Sequence, residues 1–397
     1  MNQEKSALKI MQIAPFALPI KQEISYGGIE RVIRDLDKGF IKKNNNSIIV
    51  GLPDSKIKGK LCPISVESSF APNIKNSKKF QKSSNQSANR FEIYAEKALE
   101  YILNEKPDVI HDHLGIVKSN AFQKITSCPP ILFTLHGPIN QNDKEILDKI
   151  KSSKVGNKVF FNAISKSQKE YFSKITNVDY MVYNATDVEN TPYGNSSKGH
   201  IFSFGLVNSK KGTDIALDAA RQLNKKIIIA GPIHDFNQNV NDFWNKKVKP
   251  KLDYIETQNI SPGKISEYID NFMDSKSNSI YIGEINGTQR KEWVKNAEAF
   301  YFPIRWQEPF GLVMIESMVG GTPVVAYSGG AVPEVIKHGK TGFVVEQGNF
   351  DSFLEYAKRI KEIQRQDCRD HVAKNFAIET QTQNYLNAYK DMIQKTN

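Results

Sequence analysis

The sequence predicts an α/β protein made of two doubly wound parallel-sheet domains in succession. Three observations carry this. The chain has 397 residues, too many for one ordinary core and about right for two domains of common size. Short β-branched runs alternate with longer amphipathic ones, the pattern of βαβ units whose strands are buried on both faces. A polar, turn-rich stretch, NTPYGNSSKG at 190–199, separates one such series from another, as a linker does.

In the first series LKIMQIAP, SIIVGLP, DVIHDHLG, ILFTLHG, KVFFNAIS and YMVYNA read as strands, with IERVIRDLDKGFIKKN and RFEIYAEKALEYILNE as helices between them. In the second, HIFSFGLV, KKIIIAGP, SIYIGEI, AFYFPIR, TPVVAYS and TGFVVE alternate with the helical DIALDAARQLN, TQRKEWVKNA, GLVMIESMVGG and DSFLEYAKRIKEI. This places the domains at 1–192 and 193–374, with a last helix over 375–397. No repeat of fixed period is present.

Hydrophobic residues make up 39% of the chain, enough for packed cores. No apolar run approaches the roughly 18 to 20 residues that span a bilayer. The start, MNQEKSALKIMQIAPFALPI, has no basic stretch leading into an unbroken apolar segment, so no export signal is expected. Cys62, Cys128 and Cys368 are far apart, without C-x-x-C spacing. Neither a zinc site nor a disulfide framework is indicated, and a cytoplasmic location is expected.

The net charge of +11 sits unevenly: residues 1–190 hold 28 Lys and Arg against 20 Asp and Glu, an excess of 8. Part of it lies in PNIKNSKKFQKSSNQSANR at 72–90, which has little to bury and reads as a mobile loop. The charge fits a solvated surface, or one that attracts anionic lipid or an acidic acceptor. Nucleic acid is not expected, because no nucleic-acid motif accompanies it.

Open parallel sheets bind ligands beyond the carboxyl ends of their strands. Candidate residues are therefore sought there. YGGIERVI follows the first strand and opens a helix; Gly27 and Gly28 permit close backbone approach at a helix start, where N–H groups face an anion. A structural turn would use the same two glycines, and the G-x-G-x-x-G spacing of a dinucleotide site is not there.

In EPFGLVMIES, Glu308 precedes a helix and Glu316 lies inside it, because Pro309 cannot occupy a helix interior. Eight helical steps would separate the two Cα atoms by about 12 Å. Carboxyls that work across one glycosidic bond in a retaining hydrolase stand about 5 to 5.5 Å apart. These two therefore suit separate parts of one long ligand. Between them, the N–H groups of Phe310, Gly311 and Leu312 would face a phosphate, favoured by about 0.3 to 1 kcal/mol of helix dipole. Hydroxyls at both ends of a phosphate outline a nucleotide sugar.

The stretch FPIRWQEPFGLVMIESMVGGTPVVAYSGGAVPEVIKHGKTGFVV closely resembles the C-terminal signature of the retaining GT-B glycosyltransferases called GT4. SYGGIERVI, TLHGP, NAISKSQ, SKKGTDIALDAA and YIGEI follow in family order, so the resemblance covers nearly the whole chain. Its weakest part is 233–279, which is longer than usual. The resemblance implies two Rossmann-like domains facing across a cleft, the first on the acceptor side and the second holding the donor. It implies that NFAIETQTQNYLNAYKDMI is the helix that crosses back to the first domain.

By the same resemblance, His136 and Glu308 would act at the transferred sugar: His136 orienting it, Glu308 bonding hydroxyls near the anomeric carbon. Glu316 would hold the ribose and Lys211 the diphosphate. Gly283 and Ile285 would lie beside the base. The resemblance further implies transfer from a nucleotide diphosphate sugar to a glycan or lipid-linked acceptor, without a metal or other cofactor. It suggests peripheral contact with an anionic membrane at its cytoplasmic face, as in surface polysaccharide assembly.

The chain departs from this pattern at one position. Relatives carry an Arg five residues before the Lys, whereas SFGLVNSKKG places Leu206 there. Lys210 and Arg305 are the candidates to replace it. His111 and His113, in VIHDHLG, share one strand face and have the spacing of a metal pair. No third ligand is evident, and a packed role is expected.

Overall fold

The computed structural model describes residues 7–21, 24–25, 27–66, 83–138, 141–233, 238–256 and 258–396. Two compact units emerge: Met1–Gln22, Gly27–Tyr183 and Ile378–Asn397 form unit 1, and Glu23–Tyr26 with Asn184–Ala377 form unit 2. Each holds one seven-stranded, all-parallel sheet among the described residues, with helices between its strands.

Unit 1 contains β1 (Lys9–Ile13), β2 (Asn46–Gly51), β3 (Lys60–Pro63), β4 (Val109–Asp112), β5 (Ile131–Leu135), β6 (Val159–Ala163) and β7 (Tyr180–Met181), in the order β3-β2-β1-β4-β5-β6-β7. The order reverses at β1, so the space beyond β1 and β4 is the switch point where such sheets place ligands. Its inner strands β1, β2, β4, β5 and β6 are mostly apolar and almost wholly buried, whereas the edge strands β3 and β7 are partly exposed. Each fully buried Ile, Val, Leu or Phe contributes about 1.5 to 3 kcal/mol.

Helices α1 (Gly28–Lys42), α2 (Ser83–Glu105), α3 (Asn120–Gln123), α4 (Lys144–Ser152) and α5 (Lys166–Phe172) complete the unit up to Tyr183. On α2, Tyr94 is fully buried and its hydroxyl donates to Ala14 O at 2.9 Å, seating the helix against the ends of β1 and β2.

In unit 2 the strands are β8 (Ile201–Phe204), β9 (Ile227–Ala230), β10 (Tyr254–Ile255), β11 (Ser279–Tyr281), β12 (Ala299–Phe302), β13 (Val324–Tyr327) and β14 (Gly342–Val345), in the order β10-β11-β9-β8-β12-β13-β14. The reversal falls at β8. Its helices are α6 (Thr213–Gln222), α7 (Gln238–Phe243), α8 (Ile265–Asp274), α9 (Gly287–Asn296), α10 (Leu312–Val319), α11 (Val332–Val335), α12 (Phe350–Lys358) and α13 (Arg365–Asn375). The last helix, α14 (Ile378–Thr396), returns to unit 1. There Lys42 bonds Glu379 at 3.0 Å and the Phe40 and Tyr389 rings lie 5.9 Å apart.

The sequence-based expectations and the structure differ in three places. The loop expected at 72–90 lies outside the described residues up to 82, and from Ser83 the backbone is helical. SSNQSANR holds no Gly or Pro, so helix propagates back from the amphipathic segment behind it. Strands β3 and β10 escaped notice, because KLCP ends in proline and YI is two residues inside a polar segment.

The chain also leaves unit 1 earlier than 192, at Tyr183. Two arginines of α13 show why. Arg369 donates to Val188 O, Thr191 O and Val319 O at 2.8 to 2.9 Å. Arg365 donates to Gly194 O at 2.6 Å and to Lys295 O and Ala297 O at 2.7 Å. The turn-rich stretch is thereby fastened to unit 2.

Candidate active site

Unit 2 gathers most of the candidate residues beyond the carboxyl ends of β8, β11 and β12. After β8, Asn208 caps a short 3-10 turn, accepting from Lys211 N at 3.0 Å. Gly212 follows with φ 71°; a Cβ there would stand 1.9 Å from Pro303 O. Only glycine allows the turn to press against the end of β12. Lys211 is thus aimed at the loop after β12, and its Nζ lies 2.5 Å from Glu308 Oε2. The same oxygen accepts from Trp306 Nε1 at 2.9 Å. Both Lys211 and Lys210 sit over the Trp306 ring, at 4.8 and 5.5 Å, within cation–π range. Glu308 is buried, and a buried carboxylate needs such partners.

Backbone geometry fixes this loop. Ala331 N donates to Glu308 O at 2.8 Å, and a Cβ on Gly330 would meet that oxygen at 2.2 Å. Gly311, at φ 85°, caps α10, which therefore starts at Leu312. Phe310 is buried and packs edge-on against Phe376 at 5.8 Å. Further along α10, Glu316 receives a 2.8 Å ion pair from Arg290 Nη1 on α9.

Gly283 and Ile285 border a pocket of about 100 Å³ after β11, with Gln258, Asn259, Ile260 and Trp293 among its walls. Gly283 takes φ 76°, and its carbonyl accepts from Gly231 N at 2.8 Å. Leu206 is half-buried and lines a second, smaller cavity with Lys211.

Of the two candidates to replace the Arg, one is already engaged. Arg305 makes two 2.8 Å bonds to the carboxylate of Asp214 and donates to Ser209 O at 3.0 Å. Its guanidinium is a fastener between the two loops rather than a spare cation. Lys210 remains beside Lys211.

Unit 1 holds the other candidates. Gly27, at φ 121°, stands just before Gly28, the first residue of α1. His136 follows β5, half-buried, and its Nε2 lies 2.8 Å from His113 Nδ1. His113 Nε2 in turn faces Gln12 Oε1 at 3.2 Å. The His111 ring lies tilted against that of His113, with centroids 3.8 Å apart, but its nitrogens meet Thr134 Oγ1 and the Tyr389 hydroxyl, each at 2.7 Å. The metal-pair spacing of His111 and His113 is thus filled by hydrogen bonds. Burial holds His111 and His113 far below the usual histidine range, and His136 down at about 4. All three are neutral near pH 7.

Sequence reasoning missed four participants. Trp306 stood in plain view inside RWQEP. Arg290 had only its charge to mark it. Gln12 is a polar residue in the apolar strand KIMQI, paired in register with His111, which was its signal. His113 was read as packed, and its bond to His136 needs the third dimension.

Residues 187–377 match the family model described as glycosyl transferases group 1. An uncharacterized glycosyltransferase of Methanocaldococcus jannaschii is 38% identical over 81 residues, 20% of each chain. The alignments with the first curated relatives span about a fifth to a third of those proteins' length. Among solved structures, a sucrose-phosphate synthase of Thermosynechococcus elongatus superposes with a TM-score of 0.72 at 14% identity, over 97% of this chain and 99% of that one. Anabaena HepE, solved with UDP and glucose, does so with 0.67 at 15%, over 96% and 99%. At such identities the likeness is one of fold.

Proposed function

We propose, from the premise that the chain belongs through residues 187–377 to the glycosyl transferases group 1 family, that it moves a sugar from a nucleotide diphosphate sugar to an acceptor hydroxyl with retention. The observation that carries this reading is the cluster of Lys211, Glu308 and Trp306 beside the β8 switch point, with the Gly283–Ile285 pocket in the same unit. The base would occupy that pocket, Glu316 would meet the ribose, and Lys211 with the start of α10 the diphosphate. Glu308 would hold sugar hydroxyls. In this reading no metal ion is needed for the diphosphate charge.

The step is a front-face displacement. The bond between the anomeric carbon and the diphosphate oxygen breaks, and the acceptor oxygen bonds to the same face. The departing phosphate takes the acceptor's proton, giving glycoside and nucleoside diphosphate. Lys211 stabilises the negative charge that grows on the leaving group. His136 orients the sugar.

The acceptor we propose is a lipid-linked or anionic glycan at the cytoplasmic face of a membrane, as in surface polysaccharide or glycolipid assembly. The excess of 8 positive charges in residues 1–190 supports this. No helix among the described residues is long and apolar enough to cross a membrane.

A panel of nucleotide sugars tests the reading, following thermal stabilisation and slow release of nucleoside diphosphate, with Glu308→Ala as control. One donor should stabilise the protein and be slowly hydrolysed, with hydrolysis lost in the variant. Stabilisation without release, even with acceptor glycolipids supplied, would favour a nucleotide-sugar binder without turnover, to which Leu206 lends weight. No response to any donor would overturn the assignment.

A further inference from the structure

We infer that Gln12 and His113 are positioning residues that set the tautomer of His136, placing its proton on Nε2 and leaving Nδ1 as the acceptor nitrogen. The assignment follows from a chain of bonds with one fixed end. Gln12 Nε2 donates to Ile33 O at 3.4 Å. A carbonyl can only accept, so the amide of Gln12 has one orientation and its Oε1 points the other way. There it lies 3.2 Å from His113 Nε2, which must carry the proton. In a neutral imidazole the other nitrogen is then a lone pair. His113 Nδ1 therefore accepts, and the donor 2.8 Å away is His136 Nε2.

Burial keeps these rings uncharged, His136 being pushed down to about 4, so a single proton per ring is the state in question. His111 does not compete. Both of its nitrogens are engaged, with Thr134 and Tyr389, although its ring packs at a tilt against His113. Gln12, on β1, and His113, just past β4, are fully and almost fully buried. They touch no ligand in this account and act through His136.

The consequence rests on the function proposed above. If His136 orients the transferred sugar, Nδ1 accepts a hydroxyl hydrogen and cannot donate one. The positioning groups thereby choose which partner the ring takes, as a wrong tautomer disables a catalytic histidine elsewhere.

Long-range 1H–15N correlation of the imidazole nitrogens in the full-length protein decides this without any activity. Seven histidines in the chain can be assigned by single substitutions. His113 and His136 should both show a protonated Nε2 and a lone-pair Nδ1. Gln12→Met should scramble both tautomers, and Gln12→Glu, which keeps an acceptor, should restore that of His136. In kinetics Gln12→Met should lower kcat about tenfold or more, with donor affinity unchanged.

A wild-type His136 protonated on Nδ1, or carrying two protons at pH 7, would overturn the proposal. So would Gln12→Met spectra identical to wild type. Loss of the transferase reading alone, with no turnover by the wild-type protein, would leave the tautomer result standing.

Discussion

The two units share one architecture and put their polar residues at the same place, yet the chemistry there is opposite. At the carboxyl ends of β1, β4, β5 and β6, unit 1 assembles two neutral hydrogen-bonded chains, Gln12–His113–His136 and Tyr389–His111–Thr134–Asn162–Tyr385. Beyond β8 and β12, unit 2 assembles ion pairs: Lys211 with Glu308, Arg290 with Glu316, Arg305 with Asp214. The parallel sheet fixes where a site forms; the side chains fix what it can hold. A charged diphosphate suits the second cluster, whereas the first can direct a hydroxyl through the placement of protons.

The largest effect expected from breaking this contrast is in unit 2. Glu308→Ala should lower turnover about 10²- to 10³-fold, the usual cost of one lost transition-state contact. Steady-state kinetics on whichever donor the nucleotide-sugar panel selects would show it, and unchanged kcat would refute it.

Next is acid. The folded value of about 4 for His136 lies below the ordinary 6.5, so the unfolded chain binds more protons between those values. Stability is full above pH 6.5 and is lost as pH falls towards 4, by up to about 3 kcal/mol from this one ring. His111 and His113 act in the same direction. Asp112 opposes them, since burial raises its carboxyl to about 6 and costs stability as pH rises from 3.8. Melts between pH 4 and 7 should therefore decline on acidification, less steeply in His136→Asn. Parallel curves would contradict this.

Two glycines sharpen the comparison. Gly311→Ala forces a side chain at φ 85° and puts its Cβ 2.4 Å from Met314 Cε and 3.2 Å from Glu308 Cγ. It should cost about 1 to 3 kcal/mol. Gly137, beside His136 in unit 1, has nothing within 4 Å of an added Cβ. Gly137→Ala should change stability by less than about 0.5 kcal/mol. Paired denaturant titrations compare them directly.

A small effect is also expected at Arg305. Arg305→Ala should leave donor KM unchanged and cost at most about 1 kcal/mol, because its Asp214 pair is partly exposed. A tenfold rise in KM would instead make Arg305 the replacement for the missing Arg.

Much of this was legible beforehand, for physical reasons. Strands buried on both faces leave continuous apolar runs, so most of both sheets could be read. Strands β3 and β10 could not, since KLCP ends in proline and a two-residue strand carries no period. Glu308, Gly311 and Glu316 could be placed because Pro309 limits where a helix starts. Their partners were hidden: Arg290 lies 26 residues from Glu316 and Lys211 97 from Glu308. Gln12 and His113 are 101 residues apart, and no local pattern reports such a bond.

The central claim is that Glu316 and Glu308 meet different ends of one donor. Calorimetric titration of wild type, Glu316→Ala and Glu308→Ala with free nucleoside diphosphate, and then with the intact nucleotide sugar, tests it most directly. The account predicts that Glu316→Ala weakens both ligands alike, while Glu308→Ala spares the nucleotide and removes only the affinity that the sugar adds. Equal loss of nucleotide binding in both variants, or loss in neither, would contradict it.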